Sequence, residues 1–192
     1  NAWNTITTLP TPRTNARSIV YQEKIWVIGG QDNSNYLNVV EIYDPVLDLW
    51  TTGQSLNDFR SKPVAWSVND QLYVGGGKDT DISYQDTIES YDPTSNSWYI
   101  VGNLPSKSYG GDVVVIENKV YLVIGTSATG SYSNKLYVAN LNPVTAFSAG
   151  GDHSRFVQAD GSLWAMGRNH VGQLGDGTTT DRSSPVKIET VN

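Results

Sequence analysis

The stretch that decides the fold runs from Lys24 to Trp50. It reads Lys-Ile-Trp-Val-Ile-Gly-Gly over residues 24–30, Glu-Ile-Tyr-Asp-Pro over residues 41–45, and then ends on Trp50. A second copy reads Gln-Leu-Tyr-Val-Gly-Gly-Gly from Gln71, Glu-Ser-Tyr-Asp-Pro from Glu89, and ends on Trp98. The aromatic residues Trp3, Trp50, Trp98 and Phe147 lie 47, 48 and 49 positions apart. A period of about 48 residues indicates a protein built from repeated supersecondary units.

Each copy is predicted to form a four-stranded antiparallel meander. In the first copy, the predicted strands are residues 17–21, 25–28, 39–43 and 49–52, separated by turn residues. The Gly pair ends the second strand, where a positive φ is cheap only without a Cβ. Asp-Pro begins a turn with a pre-set φ. The third copy has drifted, and its fourth strand is predicted near Val144–Ser148.

The Gly doublet, Tyr-Asp-Pro and Trp in this order resemble kelch repeats, over about residues 1–147. The motifs Gly150-Gly-Asp-His-Ser154, Leu163–Gly167 and Gly172–Gly177 instead resemble one repeat of the regulator of chromosome condensation family, over about residues 148–192. Both resemblances imply the same all-β architecture, a β-propeller of four-stranded antiparallel blades with four repeats per chain.

We expect residues 1–192 to form a single propeller domain closed by its N-terminal strand. The predicted blades are 9–54, 55–102, 103–149, and 150–192 completed by 1–8, since the last module offers three strands and Trp3 lies on an unpaired one. Such closure removes exposed sheet edges. It makes a four-bladed ring within one chain, or an eight-bladed ring when two chains of a homodimer swap the strand. A fragment of a longer propeller is a third alternative.

Composition excludes several function classes. A net charge of −6 disfavours a binder of nucleic-acid backbones, and no apolar stretch approaches the roughly 20 residues of a membrane span. The absence of cysteine excludes Cys-based zinc sites and the Cys-linked Tyr of kelch-containing copper oxidases. We expect no cofactor, no metal, no nucleic acid and no membrane partner, and the compartment stays open. The start at Asn1 without a leader-like stretch favours a processed or trimmed product.

The binding surface is predicted on the face where the loops between second and third strands meet the connectors between blades. The binding residues proposed for this face are Arg13, Tyr36, Arg60, Lys78, Tyr84, Tyr109 and Arg168. Tyr36, Tyr84 and Tyr132 recur every 48 residues, either as a ring that stacks on a ligand or as packing at the strand entry. Arg13 and Arg60 either bind an anion at the channel mouth or bond carbonyls between blades.

The sequence contains none of the familiar catalytic motifs. The function that it favours is therefore a non-catalytic recognition or scaffold propeller that binds a protein or peptide on the loop face. One alternative is a carbohydrate-binding propeller, suggested by the Tyr and Asn content of the loops. Another is a self-assembling unit, engineered or trimmed, without a ligand of its own.

Overall fold

The computed structural model describes residues 2–127, 130–140, 144–158 and 161–188, and these ranges contain strands, turns and no helix. They divide into two compact units, residues 1–139 and 140–192. The described part has no helix able to cross a membrane. The prediction of an all-β, propeller-type fold is confirmed.

The strands of the first unit are β1 (Arg17–Tyr21), β2 (Lys24–Ile28), β3 (Val40–Asp44), β4 (Leu49–Thr52), β5 (Val64–Val68), β6 (Gln71–Gly75), β7 (Thr87–Asp92), β8 (Ser97–Asn103), β9 (Ser108–Tyr109), β10 (Asp112–Ile116), β11 (Lys119–Val123), β12 (Thr126–Ser127) and β13 (Leu136–Asn140). The strands of the second unit are β14 (Val144–Ala149), β15 (His153–Gln158), β16 (Leu163–Gly167) and β17 (Arg182–Ile188).

Blades 1 and 2 are complete four-stranded meanders, in the orders β1-β2-β3-β4 and β5-β6-β7-β8. The strands 17–21 and 49–52 begin and end where the sequence predicts. Gly29 and Gly30, which follow β2, have φ values of +63° and +101°. A Cβ on Gly29 would overlap the carbonyl oxygen of Arg60, so the glycine is required by both conformation and space.

The core of the first unit lies between blades 1 and 2. The rings of Tyr21 and Trp26 meet Tyr91 of the neighbouring blade edge to face, at centroid distances of 6.5 and 5.0 Å. Trp98 packs against Tyr91 at 5.2 Å, and its indole N–H donates to the carbonyl of Gln54 at 2.9 Å. Aromatic side chains therefore supply both the apolar burial and a polar link between neighbouring blades.

Blade 3 differs from the first two because it has three strands, in the order β10-β11-β13. The segment predicted as its fourth strand is β14, which pairs instead with β15 of the C-terminal sheet, with Phe147 opposite Phe156. That strand assignment was wrong. The hairpin turn between β14 and β15 is closed by a hydrogen bond from the Gly150 N–H to the His153 carbonyl at 2.7 Å, and such a local pairing has a low closure entropy.

The C-terminal sheet takes all four of its strands from residues 144–188, in the order β14-β15-β16-β17. The vacancy predicted for the N-terminal strand is thus filled by β14. Residues 2–8 lie in no strand, and the side chain of Trp3 is fully exposed. Closure of the fold by residues 1–8 and the single-domain boundaries stay predictions, and Asn1 lies outside the described residues.

Candidate functional site

Three equivalent short pairings place the predicted tyrosines at the same end of blades 1, 2 and 3. The residue after each Gly pair bridges to the loop Tyr: Gln31 to Tyr36, and Lys78 to Tyr84. In the third copy Thr126 bridges to Tyr132 in the same way. The 48-residue spacing of the tyrosines therefore reflects one repeated backbone position beside the connectors between blades.

Five side chains converge at this end of the unit, and we call them the tyrosine–lysine cluster: Tyr36, Lys78, Asp81, Tyr84 and Tyr109. The Lys78 Nζ lies 5.4 Å from the ring centroid of Tyr36 and 5.5 Å from that of Tyr109. The rings of Tyr84 and Tyr109 stack at 5.1 Å with an interplanar angle of 4°. Blade 1, blade 2 and the connector into blade 3 each contribute, so the cluster exists only when the three blades pack together.

Hydrogen bonds fix the charged side of the cluster. The Tyr36 hydroxyl donates to Asp81 Oδ1 at 2.6 Å, and the Lys78 Nζ lies 3.4 Å from the same oxygen. The Tyr36 hydrogen bond and then the Lys78 ammonium hold the pKa of Asp81 below its usual range. The contact with Asp81 raises the pKa of Tyr36, and the neighbouring Tyr36 hydroxyl raises the pKa of Lys78. Lys78 and Asp81 are therefore both charged at neutral pH.

The cluster offers a ligand two kinds of contact, cationic and apolar. The Lys78 side chain is 18% exposed, so its ammonium can still reach an acceptor while it lies against two aromatic rings. A second cation, the Lys62 Nζ, lies 5.6 Å from the ring centroid of Tyr109. The stacked rings of Tyr84 and Tyr109 are half-buried and add apolar surface. This combination suits a partner that carries both an acceptor group and an apolar side chain.

An open depression lies beside the cluster and is lined mainly by polar loop residues: Gln31, Asp32, Asn33, Ser34, Asn35, Tyr36 and Asp81. Asp32 Oδ1 accepts hydrogen bonds from the Ser34 and Asn35 N–H groups, at 2.8 and 2.7 Å. These backbone hydrogen bonds lower the pKa of Asp32 and hold the loop in shape. The depression therefore has a fixed wall on one side.

Arg13 and Arg60 do not belong to this surface, because their side chains are fully buried. Arg60 donates to the carbonyls of Gly76 and Thr87 at 2.7 and 3.1 Å, and pairs with Glu89 at 3.0 Å. Arg13 makes the equivalent bonds to the Gly29 and Val39 carbonyls and pairs with Glu41. Of the two alternatives for these arginines, the anion-binding mouth is corrected: their guanidinium groups bond carbonyls, as the other alternative held, and each also pairs with a buried carboxylate.

Two further residues singled out from the sequence make none of the contacts that define the cluster. Arg168 lies in the C-terminal unit, where its guanidinium contacts Asp152 at 3.1 Å. Tyr132, the third member of the predicted tyrosine ring, is 91% exposed. In the described ranges, no three His, Asp or Glu side chains come together as a metal site.

The sequence predictions missed one carboxylate of the cluster and the two carboxylates that pair with the buried arginines. Asp81 was not among the predicted binding residues, yet it accepts hydrogen bonds from Tyr36 and Lys78. Glu41 and Glu89 precede the two Tyr-Asp-Pro motifs and hold the buried arginines. The sequence does contain a signal for the Arg–Glu pairing. The first two copies have both the Arg and the Glu, whereas the third copy has neither and carries Ser108 and Tyr137 at these positions.

Comparison with known proteins identifies the family of the chain. Residues 1–125 match the family model described as the KLHDC2/KLHL20/DRC7 Kelch-repeats domain. Because that match spans more than half of the sequence, the chain belongs to the kelch-repeat family. Residues 144–173 and 160–192 each match a regulator of chromosome condensation (RCC1) repeat, so the C-terminal unit carries RCC1-type sequence.

Individual relatives cover the kelch part. The Kelch repeat and BTB domain-containing protein 1 of cowpox virus (strain GRI-90 / Grishak) is 37% identical over 102 residues, which is 51% of this chain and 18% of the relative. Kelch-like protein 23 of Homo sapiens is 34% identical over 119 residues, 62% of this chain and 20% of the relative. The chain thus spans about a fifth of the length of these curated relatives.

A solved structure shares the fold. The structure titled "Structure of YjhT" superposes with a TM-score of 0.62 and 18% sequence identity, covering 97% of this chain and 69% of that one. At this identity the likeness concerns the fold alone, and it supports the β-propeller class inferred from the sheets.

Proposed function

We propose that the chain is a non-catalytic recognition module that binds a protein or peptide through the tyrosine–lysine cluster of its kelch unit. The observation that carries the proposal is the convergence of Tyr36, Lys78, Tyr84 and Tyr109 from blade 1, blade 2 and the connector into blade 3. Tyr is enriched at protein interfaces because its ring gives contact area and its hydroxyl gives a polar handle. Kelch-type relatives that carry a BTB domain or the kelch-like name are consistent with a scaffold role.

The contacts suggest what the partner presents. A carboxylate or backbone carbonyl of the partner would accept from Lys78, whose ammonium lies over two rings. An apolar or aromatic side chain would lie on the half-buried pair of Tyr84 and Tyr109. In such a complex a few side chains would contribute most of the binding free energy, as is usual at protein interfaces.

The test is selection of peptide ligands from a displayed random library, followed by affinity measurements on matched variants. We expect Tyr84→Ala and Lys78→Gln each to weaken a selected peptide by about tenfold or more, as for anchor residues at interfaces. The control is Tyr99→Ala, since Tyr99 is an exposed aromatic on β8 and lies outside the cluster. Equal affinity of all three variants, with unchanged unfolding midpoints, would rule out the cluster as the binding site.

A carbohydrate ligand is the second candidate, supported by the open depression beside Tyr36. Its wall carries the side chains of Asn33, Asn35 and Asp32, and amide and carboxylate groups next to an aromatic ring are typical of sugar sites. A glycan array decides between the two candidates: a hit that is lost in Tyr36→Ala but kept in Tyr84→Ala would favour the sugar. An array without hits would remove this candidate.

A further inference from the structure

Blade 3 presents an open edge. In blades 1 and 2 an outer strand, β4 or β8, pairs with the third strand of the sheet. In the described residues nothing pairs with the corresponding side of β13, which ends its sheet. Leu136 on β13 is 63% exposed, whereas Val40, its counterpart on β3, is fully buried. An exposed apolar edge of this kind is a template for another strand.

The N-terminal segment has the sequence of an outer strand but no sheet. Trp3 stands 47 residues before Trp50, the Trp of β4, and Leu9 and Arg13 stand 47 before Leu56 and Arg60. Residues 2–8 nevertheless form no strand, and Trp3 is fully exposed, whereas Trp98 on the outer strand β8 is 5% exposed. Among the described residues, the segment therefore has no strand partner at its repeat position.

An unsatisfied indole gives independent support. The Trp98 indole N–H donates to the carbonyl of Gln54, which follows the outer strand of the preceding blade. The indole nitrogen of Trp50 is buried and has no hydrogen-bond partner among the described residues. Thr7 is the counterpart of Gln54, 47 residues earlier. If residues 2–8 were ordered as an outer strand, the Thr7 carbonyl would be placed to accept from Trp50, and a buried unpaired donor is costly.

We propose that residues 2–8 of one chain add to β13 of a second copy as its missing outer strand. Each connector in this unit joins an outer strand to the inner strand of the next blade, so pairing within one chain would make blade 1 follow blade 3 directly. That would close a ring of three blades, below the usual four to eight. Two copies that exchange strands contribute six kelch blades, and the reciprocal exchange covers the free edge of β13 in each copy.

The repeat fixes the register of the added strand. On blade 1, Ile42 of β3 faces Thr51 and Tyr43 faces Trp50. The equivalent positions place Val138 of β13 opposite Asn4, and Ala139 opposite Trp3. This acceptor replaces the one predicted from sequence, which lay in the C-terminal module and gave an eight-bladed ring. Strand donation does not depend on what the loop face binds.

Disulfide cross-linking tests both the exchange and the register, because the chain has no cysteine of its own. Opposed residues on paired strands lie about 4.5–5.5 Å apart at Cα, a separation that a disulfide can span. We expect a mixture of the single variants Asn4→Cys and Val138→Cys to give a covalent dimer on oxidation. The control mixture pairs Asn4→Cys with Val101→Cys, on the complete blade 2, and should give none.

Light scattering supplies the second measurement. The expected mass is about twice the 21.0 kDa of the chain, falling to the monomer value on deletion of residues 2–8. Trp3→Ala should raise the dissociation constant of the dimer at least about tenfold. A steady monomer mass at all concentrations, or a disulfide that forms only within one chain in Asn4→Cys/Val138→Cys, would overturn the proposal.

Discussion

Replacing Arg60 by Ala should destabilise the kelch unit strongly, because its charge is paired where no water reaches. The Arg60 and Glu89 side chains are both 0% exposed. Arg60 donates to Glu89, to the Gly76 carbonyl, and to both the carbonyl and the hydroxyl of Thr87. Truncation leaves the Glu89 carboxylate buried with hydrogen bonds from Asn57 alone, at 2.8 Å.

The magnitude follows from the loss of one partner of a buried pair, which costs about 3–5 kcal/mol. Two carbonyls also lose a donor, at about 1–3 kcal/mol each when they stay dry, although these terms overlap and do not add. We expect a loss of about 4 kcal/mol for Arg60→Ala. In a domain of this size, a loss of about 1 kcal/mol in unfolding free energy lowers the thermal unfolding midpoint by roughly 2–4 °C. For Arg60→Ala the thermal midpoint should therefore fall by about 10 °C.

Urea unfolding measures the free energy and thermal unfolding measures the midpoint, both followed by tryptophan fluorescence. The control is Lys107→Ala, because Lys107 is exposed on the same connector type. The control should change the free energy of unfolding by less than about 0.5 kcal/mol. The double variant Arg60→Met/Glu89→Leu removes both charges and should be about 2 kcal/mol more stable than Arg60→Ala. If Arg60→Ala lowers the free energy of unfolding by less than about 1 kcal/mol, the reasoning about a buried structural pair is refuted, and Arg60 becomes a candidate binding residue again.

Two other predictions concern the backbone and the loop face. Gly29→Ala should lower the free energy of unfolding by about 2 kcal/mol or more, because Gly29 has a φ of +63° and the new Cβ would meet the Arg60 carbonyl. Gly102→Ala is the control and should be nearly neutral, since nothing lies within 4 Å of its Cβ position. Urea unfolding measures both variants. Tyr36→Phe removes the hydrogen bond that lowers the pKa of Asp81, so that pKa should rise toward its usual value in an NMR titration. Because the pKa of Asp81 is depressed in the folded chain, its contacts stabilise the loop above the unfolded-state pKa and are lost as pH falls through the folded-state pKa. An unchanged titration would contradict the Tyr36 contact.

The repeat frame could be predicted from the sequence because its signals are local. A Gly pair, an Asp-Pro turn and a closing Trp each restrict the backbone within a few residues. These local signals predicted the strands of blades 1 and 2. The observed bounds of β1, β2, β3 and β4 lie within one residue of the predicted bounds. The 48-residue spacing also brought Tyr36 and Tyr84 to equivalent positions.

Partner choice over long sequence distances could not be predicted in the same way. The period places Phe147 where an outer-strand Trp is expected, but it does not state which sheet the strand joins. β14 pairs with β15 across a three-residue turn, Gly150 to Asp152, and this local hairpin closes at a lower entropic cost than a return to blade 3. The role of Arg60 was ambiguous for the same reason, since Glu89 lies 29 residues away.

The third copy shows which features of the repeat depend on one another. Ser108 stands where Arg13 and Arg60 stand, and Tyr137 replaces the Glu, so both charges are absent together. A copy that lost only the Arg or only the Glu would be left with an unpaired buried charge, which is strongly destabilising. The backbone link survives without them: the Gly77 N–H donates to the Ser108 carbonyl at 2.8 Å, as the Gly30 N–H donates to that of Arg60. Backbone hydrogen bonds therefore link the successive kelch blades with or without the arginine, whereas the buried ion pairs belong to blades 1 and 2.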